Sequence, residues 1–277
     1  HLHLMYKALF ELSADRAEFL GRLFTRTRPE GLTPQSTARE LFQGYLGASP
    51  ASDEVYRENL RAIEDVLVKK HKLPLSPEDL SGIDYVYRAF FAYGPSITWS
   101  TNTGPNRSGR GATYASLMMQ TDVQGQEIGY LATEDQYRLL KDLEGRNLVV
   151  PVVGDFGGPK AIRAVGSYLR DRGAIVSAFY LSNVEQYLRQ DGKTTVFCRN
   201  SAALPLDESS VFIRPGGAVT FVSRGGTFVN GTYSGAAGAV PPGTSVNTMF
   251  LETARRPTLF PIAEEVRTCG ASAPVLH

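Results

Sequence analysis

Two short stretches hold the residue types from which a binding or catalytic site is most readily built. The first, Val153-Gly154-Asp155-Phe156-Gly157-Gly158-Pro159-Lys160, brings small residues, an acid and a lysine to the start of an expected helix. Glycines permit close backbone approach to a phosphate, sulfonium or carboxylate group, and a helix N-terminus adds partial positive charge. Asp155 suits a ribose hydroxyl or an amine, so Asp155, Phe156, Gly157 and Lys160 are candidate binding residues. A tight turn with an acid beside a helix dipole accounts for the same residues, and the spacing matches neither a P-loop nor a full GxGxxG. The second stretch runs from Tyr180 to Tyr187. There Ser182 and Glu185 have capping-box spacing, and Asn183 offers amide donors and an acceptor that suit a nucleobase edge or a carboxylate. Ser182 and Asn183 complete this part of the candidate set.

Other chemistries find little support. The four histidines are His1, His3, His71 and His277, at a terminus or in a charged helix end, so a Ser/His or Cys/His dyad lacks a base. Asp84, Asp122 and the Asp207-Glu208 pair supply carboxylates without metal-ligand spacing. The helix expected after Ser76-Pro77 carries Tyr85, Tyr87, Phe90, Phe91 and Tyr93, and a polar loop containing Trp99 and Asn102 follows. Aromatics at helical spacing pack into a core or form a platform over a ligand; in the second reading Tyr85, Tyr87, Trp99 and Asn102 cover the cleft.

These residues need a frame. Leu148 to Val153 is an apolar, valine-rich run, the following helix ends at Gly173, and Ala174 to Leu181 is a second buried strand. Two such strands joined by a helix predict a right-handed crossover and parallel pairing, with both loops at the carboxyl edge of the sheet where ligands bind. Pro151 counts against a central strand and is taken as a local irregularity within it. Upstream the pattern is helical: Thr37 and Glu40 form a capping box, Tyr56, Leu60, Ile63 and Leu67 share one helix face, and Thr133 with Gln136 caps a helix ending at Gly145. Downstream, Thr194 to Cys198 and Ser210 to Arg214 read as strands, Ala218 to Tyr233 as a hairpin around Arg224-Gly225-Gly226, and Ser245 to Arg255 as a last helix. The expected fold is α/β and Rossmann-like, a mainly parallel sheet with a helical N-terminal part and a glycine-rich β tail. Its expected organisation is one domain over residues 1–215, with a helical insertion at about 30–130, and a Gly/Pro-rich extension over 216–277 packed on it.

Composition narrows the partners. Twenty-nine basic residues against 28 acidic ones give a formal net charge of +1, so no global field favours nucleic acid or an anionic membrane. The Lys69-Lys70-His71-Lys72 run is most simply a solvated helix end. No apolar run approaches the roughly 20 residues needed to span a bilayer. Cys198 and Cys269 lie far apart without a CxxC, which argues against a zinc ribbon or a disulfide scaffold and makes a reduced cytoplasm the expected compartment. A small-molecule ligand is the expected partner. The start His1-Leu2-His3-Leu4, inside an apolar helical pattern, reads as a chain cut from something longer.

Three segments carry a family likeness: Asp84-Tyr85-Val86-Tyr87-Arg88 with Trp99-Ser100, the VVPVVGDFGGPKAIRAVG of Val149 to Gly166, and the FYLSNVEQYL of Phe179 to Leu188. Over roughly Leu4 to Pro215 the chain resembles a bacterial family whose members look like class I S-adenosylmethionine-dependent methyltransferases. The resemblance implies a Rossmann fold, S-adenosylmethionine as cofactor and methyl transfer as activity, which needs positioning in a dry pocket more than acid-base groups. It also implies a glycine-containing strand-turn and an acid-ended strand ahead of the segment matching His3 to Phe10, and neither is in this chain. Two alternatives stand beside methyl transfer: a non-catalytic binding module that keeps the fold, and a nucleotide-binding enzyme using the Gly154 to Lys160 turn.

Overall fold

The computed structural model describes residues 1–98, 111–122, 124–214, 221–223, 226–229, 232–235, 258–267 and 269. They form two compact units, His1–Pro151 and Val152–His277.

The first unit is built from helices α1 (Leu2–Leu12), α2 (Arg16–Phe24), α3 (Ala38–Gly47), α4 (Asp53–Glu64), α5 (Pro77–Tyr93), α6 (Tyr114–Met118) and α7 (Glu134–Gly145). Local chemistry sets most of their starts. Thr37 with Glu40, Ser76 with Asp79 and Thr133 with Gln136 form reciprocal capping boxes, and Pro77 occupies the first turn of α5. α1 packs against α2, α4, α5 and α7, and its Met5, Ala8 and Leu9 are fully buried at helical spacing. Phe10 stacks on Phe19 at 4.7 Å between ring centroids, with Tyr137 5.4 Å from Phe10. The expected face of α4 is present: Tyr56, Ile63 and Leu67 are buried and Leu60 packs beside them. α4 runs on through a π-helical turn over Asp65–Lys70. Lys69 there pairs with Asp65, and Lys70 and His71 reach Glu11, so the basic run is engaged with the unit's own acids.

One buried ion pair ties this unit together. Arg16, 2% exposed, donates to Glu134 and to the carbonyls of Leu131, Ala132, Pro34 and Ser36. α2 ends at Thr25, a β-branched residue held in the left-handed region (φ 49°). That conformation is uncommon for such a side chain. It is stabilised where the Thr25 hydroxyl meets the Tyr87 hydroxyl at 2.8 Å and the Thr25 amide donates to the Arg22 carbonyl.

The second unit overturns the expected Rossmann-like fold. Helix dominates the described residues, and its main sheet has three strands in the order β1 (Ala178–Tyr180), β2 (Val211–Arg214), β6 (Thr258–Pro261). β1 and β2 are parallel; β2 and β6 are antiparallel. This is a small mixed sheet, not a mainly parallel one. The expected first strand does not form: Leu148 to Val153 has no regular structure, and Leu148, Val150, Val152 and Val153 are exposed. Pro151 removes a ladder donor from the middle of that run and fixes its φ, and β1 pairs with β2 alone among the described strands.

Four helices complete this unit: α8 (Ala161–Arg170), α9 (Val184–Gln190), α10 (Thr194–Ala202) and α11 (Ile262–Val266). α10 replaces the strand expected at Thr194 to Cys198. Its β-branched residues favour a strand, but Phe197, Asn200 and Ser201 are buried at i, i+3 and i+4, so packing overrides propensity. Cys198 on α10 is disulfide-bonded to Cys269 beyond α11, a pairing that their separation of 71 residues does not advertise. The core gathers Ile162, Leu181, Leu188, Phe197, Phe212 and Ile262. A separate antiparallel sheet, β3 (Phe221–Ser223), β4 (Gly226–Val229) and β5 (Thr232–Gly235), contains the expected hairpin. The helix expected at Ser245 to Arg255 lies outside the described residues. Among the described residues no helix is long and apolar enough to cross a membrane.

Candidate functional site

The turn at Asp155 is ordered from within. Asp155 Oδ1 accepts the Gly157 N–H at 2.8 Å, its carbonyl accepts the Gly158 N–H at 3.0 Å, and its Oδ2 accepts from Lys193 Nζ at 2.8 Å. The Lys193 ammonium and the Gly157 amide hold the Asp155 carboxyl below the usual carboxylate range. Asn200, fully buried on α10, clamps the same turn: its Nδ2 donates to the carbonyls of Phe156 (3.0 Å) and Gly158 (2.8 Å), and Arg163 Nε donates to its Oδ1. The glycines serve this packing. A Cβ on Gly154 would lie 2.2 Å from Ala161 Cβ, and one on Gly157 would lie 2.7 Å from Lys193 Cβ. Neither separation is tolerable for two carbons.

The remaining nominated residues separate. Lys160 is the exposed N-cap residue of α8 and makes no side-chain cap. Ser182 has a positive φ of 46°, and Asn183 is the N-cap of α9 without a side-chain cap; both are exposed. The expected Ser182/Glu185 capping box is absent, because Glu185 is drawn to Arg214. Arg214 forks between Glu185 and Glu265 at 2.6–2.8 Å and lies 4.9 Å from the Phe212 ring centroid. The two carboxylates, led by Glu265, raise the guanidinium's affinity for its proton against the opposing effect of burial. Tyr85 and Tyr87 belong to α5 in the first unit. Tyr85 is exposed, whereas Tyr87 is fully buried and donates to the Arg22 carbonyl at 2.6 Å. Tyr87 is therefore a core residue. Trp99 and Asn102 lie outside the described residues.

Of the nominated set, Phe156 reaches a cavity. A groove of about 400 Å³ is lined by Val152, Gly154 and Phe156 from the turn, by Ile162 and Val165 among the residues of α8, and by Ile175 to Phe179 leading into β1. Phe156 also belongs to a ring cluster, 5.7 Å from Phe179 and 6.3 Å from Phe197. The α8 residues were missed as a site, although Ala161, Ile162, Val165 and Leu169 recur at helical spacing and mark its apolar side. Asn200 left no sequence signal, since a buried asparagine on a helix is defined by the loop it meets. No group of three or more His, Cys, Asp or Glu among the described residues is placed to hold a metal ion.

A family profile described as a domain of unknown function (DUF7790) matches residues 103–233, just under half of the chain. No curated protein matches the sequence. The matched segment includes the Asp155 turn, α8, β1 and Asn200.

Proposed function

We propose that the second unit is a binding module for a small apolar molecule, held in the groove that Phe156 shares with α8 and the approach to β1. The groove carries this reading. Its volume of about 400 Å³ falls in the range of small-molecule sites, and among the described residues Ser177 supplies the one polar side chain of its lining. The turn that forms one wall is braced by Asp155, Lys193 and Asn200. A braced wall spares a ligand part of the ordering cost of binding. Asp155 is satisfied within the turn, so this reading asks no polar contact of it. Methyl transfer leaned on a parallel sheet; without that support, S-adenosylmethionine enters as a competing titrant.

The test titrates the whole chain with 8-anilinonaphthalene-1-sulfonate by fluorescence and with S-adenosylmethionine by calorimetry. Saturable one-to-one probe binding is expected, lost in Val165→Trp, which fills the groove, and kept in Asp155→Asn. Probe binding that survives in a folded Val165→Trp chain refutes the proposal. Asp155-dependent heat with S-adenosylmethionine refutes it too, in favour of a cofactor site.

A further inference from the structure

A second cleft, in the first unit, has a different chemistry. It encloses about 460 Å³ where α2 ends, and Arg22, Arg26 and Arg28 all line it. Two of these have carboxylate partners: Arg22 donates to Glu18 at 2.7 Å, and Arg28 donates to Asp15 at 2.8 Å. Arg26 has none among the described residues. Its guanidinium donates to the carbonyls of Ala48 and Phe24 and lies against Gly94. Burial lowers its affinity for the proton. Three arginines thus line a cleft whose lining, among the described residues, includes one carboxylate, Glu18, while Asp15 meets Arg28 from outside it.

The backbone places these arginines at a conformational cost. Thr25 is left-handed, and the turn it makes returns the Arg26 amide to the Gly21 carbonyl, so the chain carries Arg26 and Arg28 back beside Arg22. Such strain in a non-glycine residue persists where surrounding structure over-determines it, here through Tyr87. Asn59, Tyr45 and Val55 complete a lining that mixes polar and apolar groups around the positive charge.

We propose that this cleft binds the phosphate group of a small molecule between Arg22, Arg26 and Arg28. A phosphate monoester carries more than one negative charge near neutrality and accepts forked hydrogen bonds from guanidinium groups, which matches a surplus of positive charge in one cleft better than a monocarboxylate does. Glu18 competes for Arg22 and limits the affinity.

Arginine Nε–H resonances of the whole chain, followed by NMR with inorganic phosphate, with acetate and sodium chloride at matched ionic strength as controls, test the site. Saturable shifts at Arg22, Arg26 and Arg28 are expected with phosphate and not with the controls. Arg28→Gln, at a partly exposed side chain, should weaken phosphate by about tenfold. Glu18→Gln should tighten it, an effect in the opposite direction that a structural role alone would not give. Urea melts confirm that both variants fold. Equal shifts with all three salts, or unchanged phosphate affinity in folded Arg28→Gln, overturn the proposal.

Discussion

Replacing Arg16 by methionine keeps an unbranched apolar stem and removes the cation that holds the first unit together. The guanidinium serves Glu134 and four carbonyls, and both charged side chains are more than nine-tenths buried. Breaking a buried pair from one side costs about 3–5 kcal/mol, because the other charge stays behind unpaired. The four carbonyls also lose their donor, but a cavity of about 920 Å³ borders Arg16, so water reaches some of them and the total stays near the middle of that range. Glu134→Gln is the milder change. It too leaves a charge without its counter-ion, but Arg16 keeps an acceptor there and its four carbonyls, and Glu134 Oε1 has no hydrogen bond to lose, although Arg138 lies 3.6 Å away; its cost is about 3 kcal/mol, the low end of that range. In the double variant no carboxylate is stranded, so the two effects should fall short of additive by about 2 kcal/mol. Urea denaturation of the whole chain, read by a probe in the first unit, measures all three. An Arg16→Met cost below about 1 kcal/mol, or strict additivity, would refute the claim that this pair is desolvated and structural.

Three further outcomes follow from the structure. Val153, fully exposed, should accept lysine with a stability change within about 0.5 kcal/mol; in a central parallel strand the same change would strand a charge in the core, so urea melts separate the two folds. Asn200→Ala should cost about 2–3 kcal/mol by leaving the Phe156 and Gly158 carbonyls without their donor, and should speed amide exchange at Gly157 and Gly158. Stability should also fall in acid. For Asp15 and Glu18 burial pushes the carboxyl up, but the amides of Glu18 and Ala14 and the guanidinium groups of Arg28 and Arg22 outweigh it and leave both below their ordinary 3.8 and 4.5. Carboxyls depressed on folding contribute fully above those ordinary values and lose the contribution as pH falls through the folded ones. Glu64 and Glu144, raised chiefly by burial, give the opposite slope above 4.5. Asp15→Asn keeps a capping side chain and should flatten the acid limb below about pH 4; an unchanged limb in denaturation across pH would refute the assignment.

What could be read from the sequence was local. The capping boxes at Thr37 and Thr133, the helical spacing of Tyr56, Ile63 and Leu67, the stop at Gly145 and the antiparallel pairing of β3 with the nearby β4 all rest on patterns within a few residues. Such patterns depend on side-chain type and spacing alone. The turn at Asp155 was legible for the same reason, as an acid and glycines before a helix. Its role was not, because Lys193 and Asn200, which brace it, lie some forty residues downstream. The apolar run at Leu148 to Val153 shows the limit most clearly. A strand exists only when a partner takes up its ladder, and a run of valines is the same whether it is paired or exposed. Likewise Thr194 to Cys198 became helix because Phe197, Asn200 and Ser201 found partners on one side, and Ser182 lost its capping role because Glu185 found Arg214. Local propensities of a few tenths of a kcal/mol yield to tertiary burial and ion pairing worth more. The sequence determined the helix starts and stops that local capping chemistry sets, at Thr37, Ser76, Thr133 and Gly145; which other segments become helix, which pair, and which side chains remain for a ligand, only the tertiary structure decided.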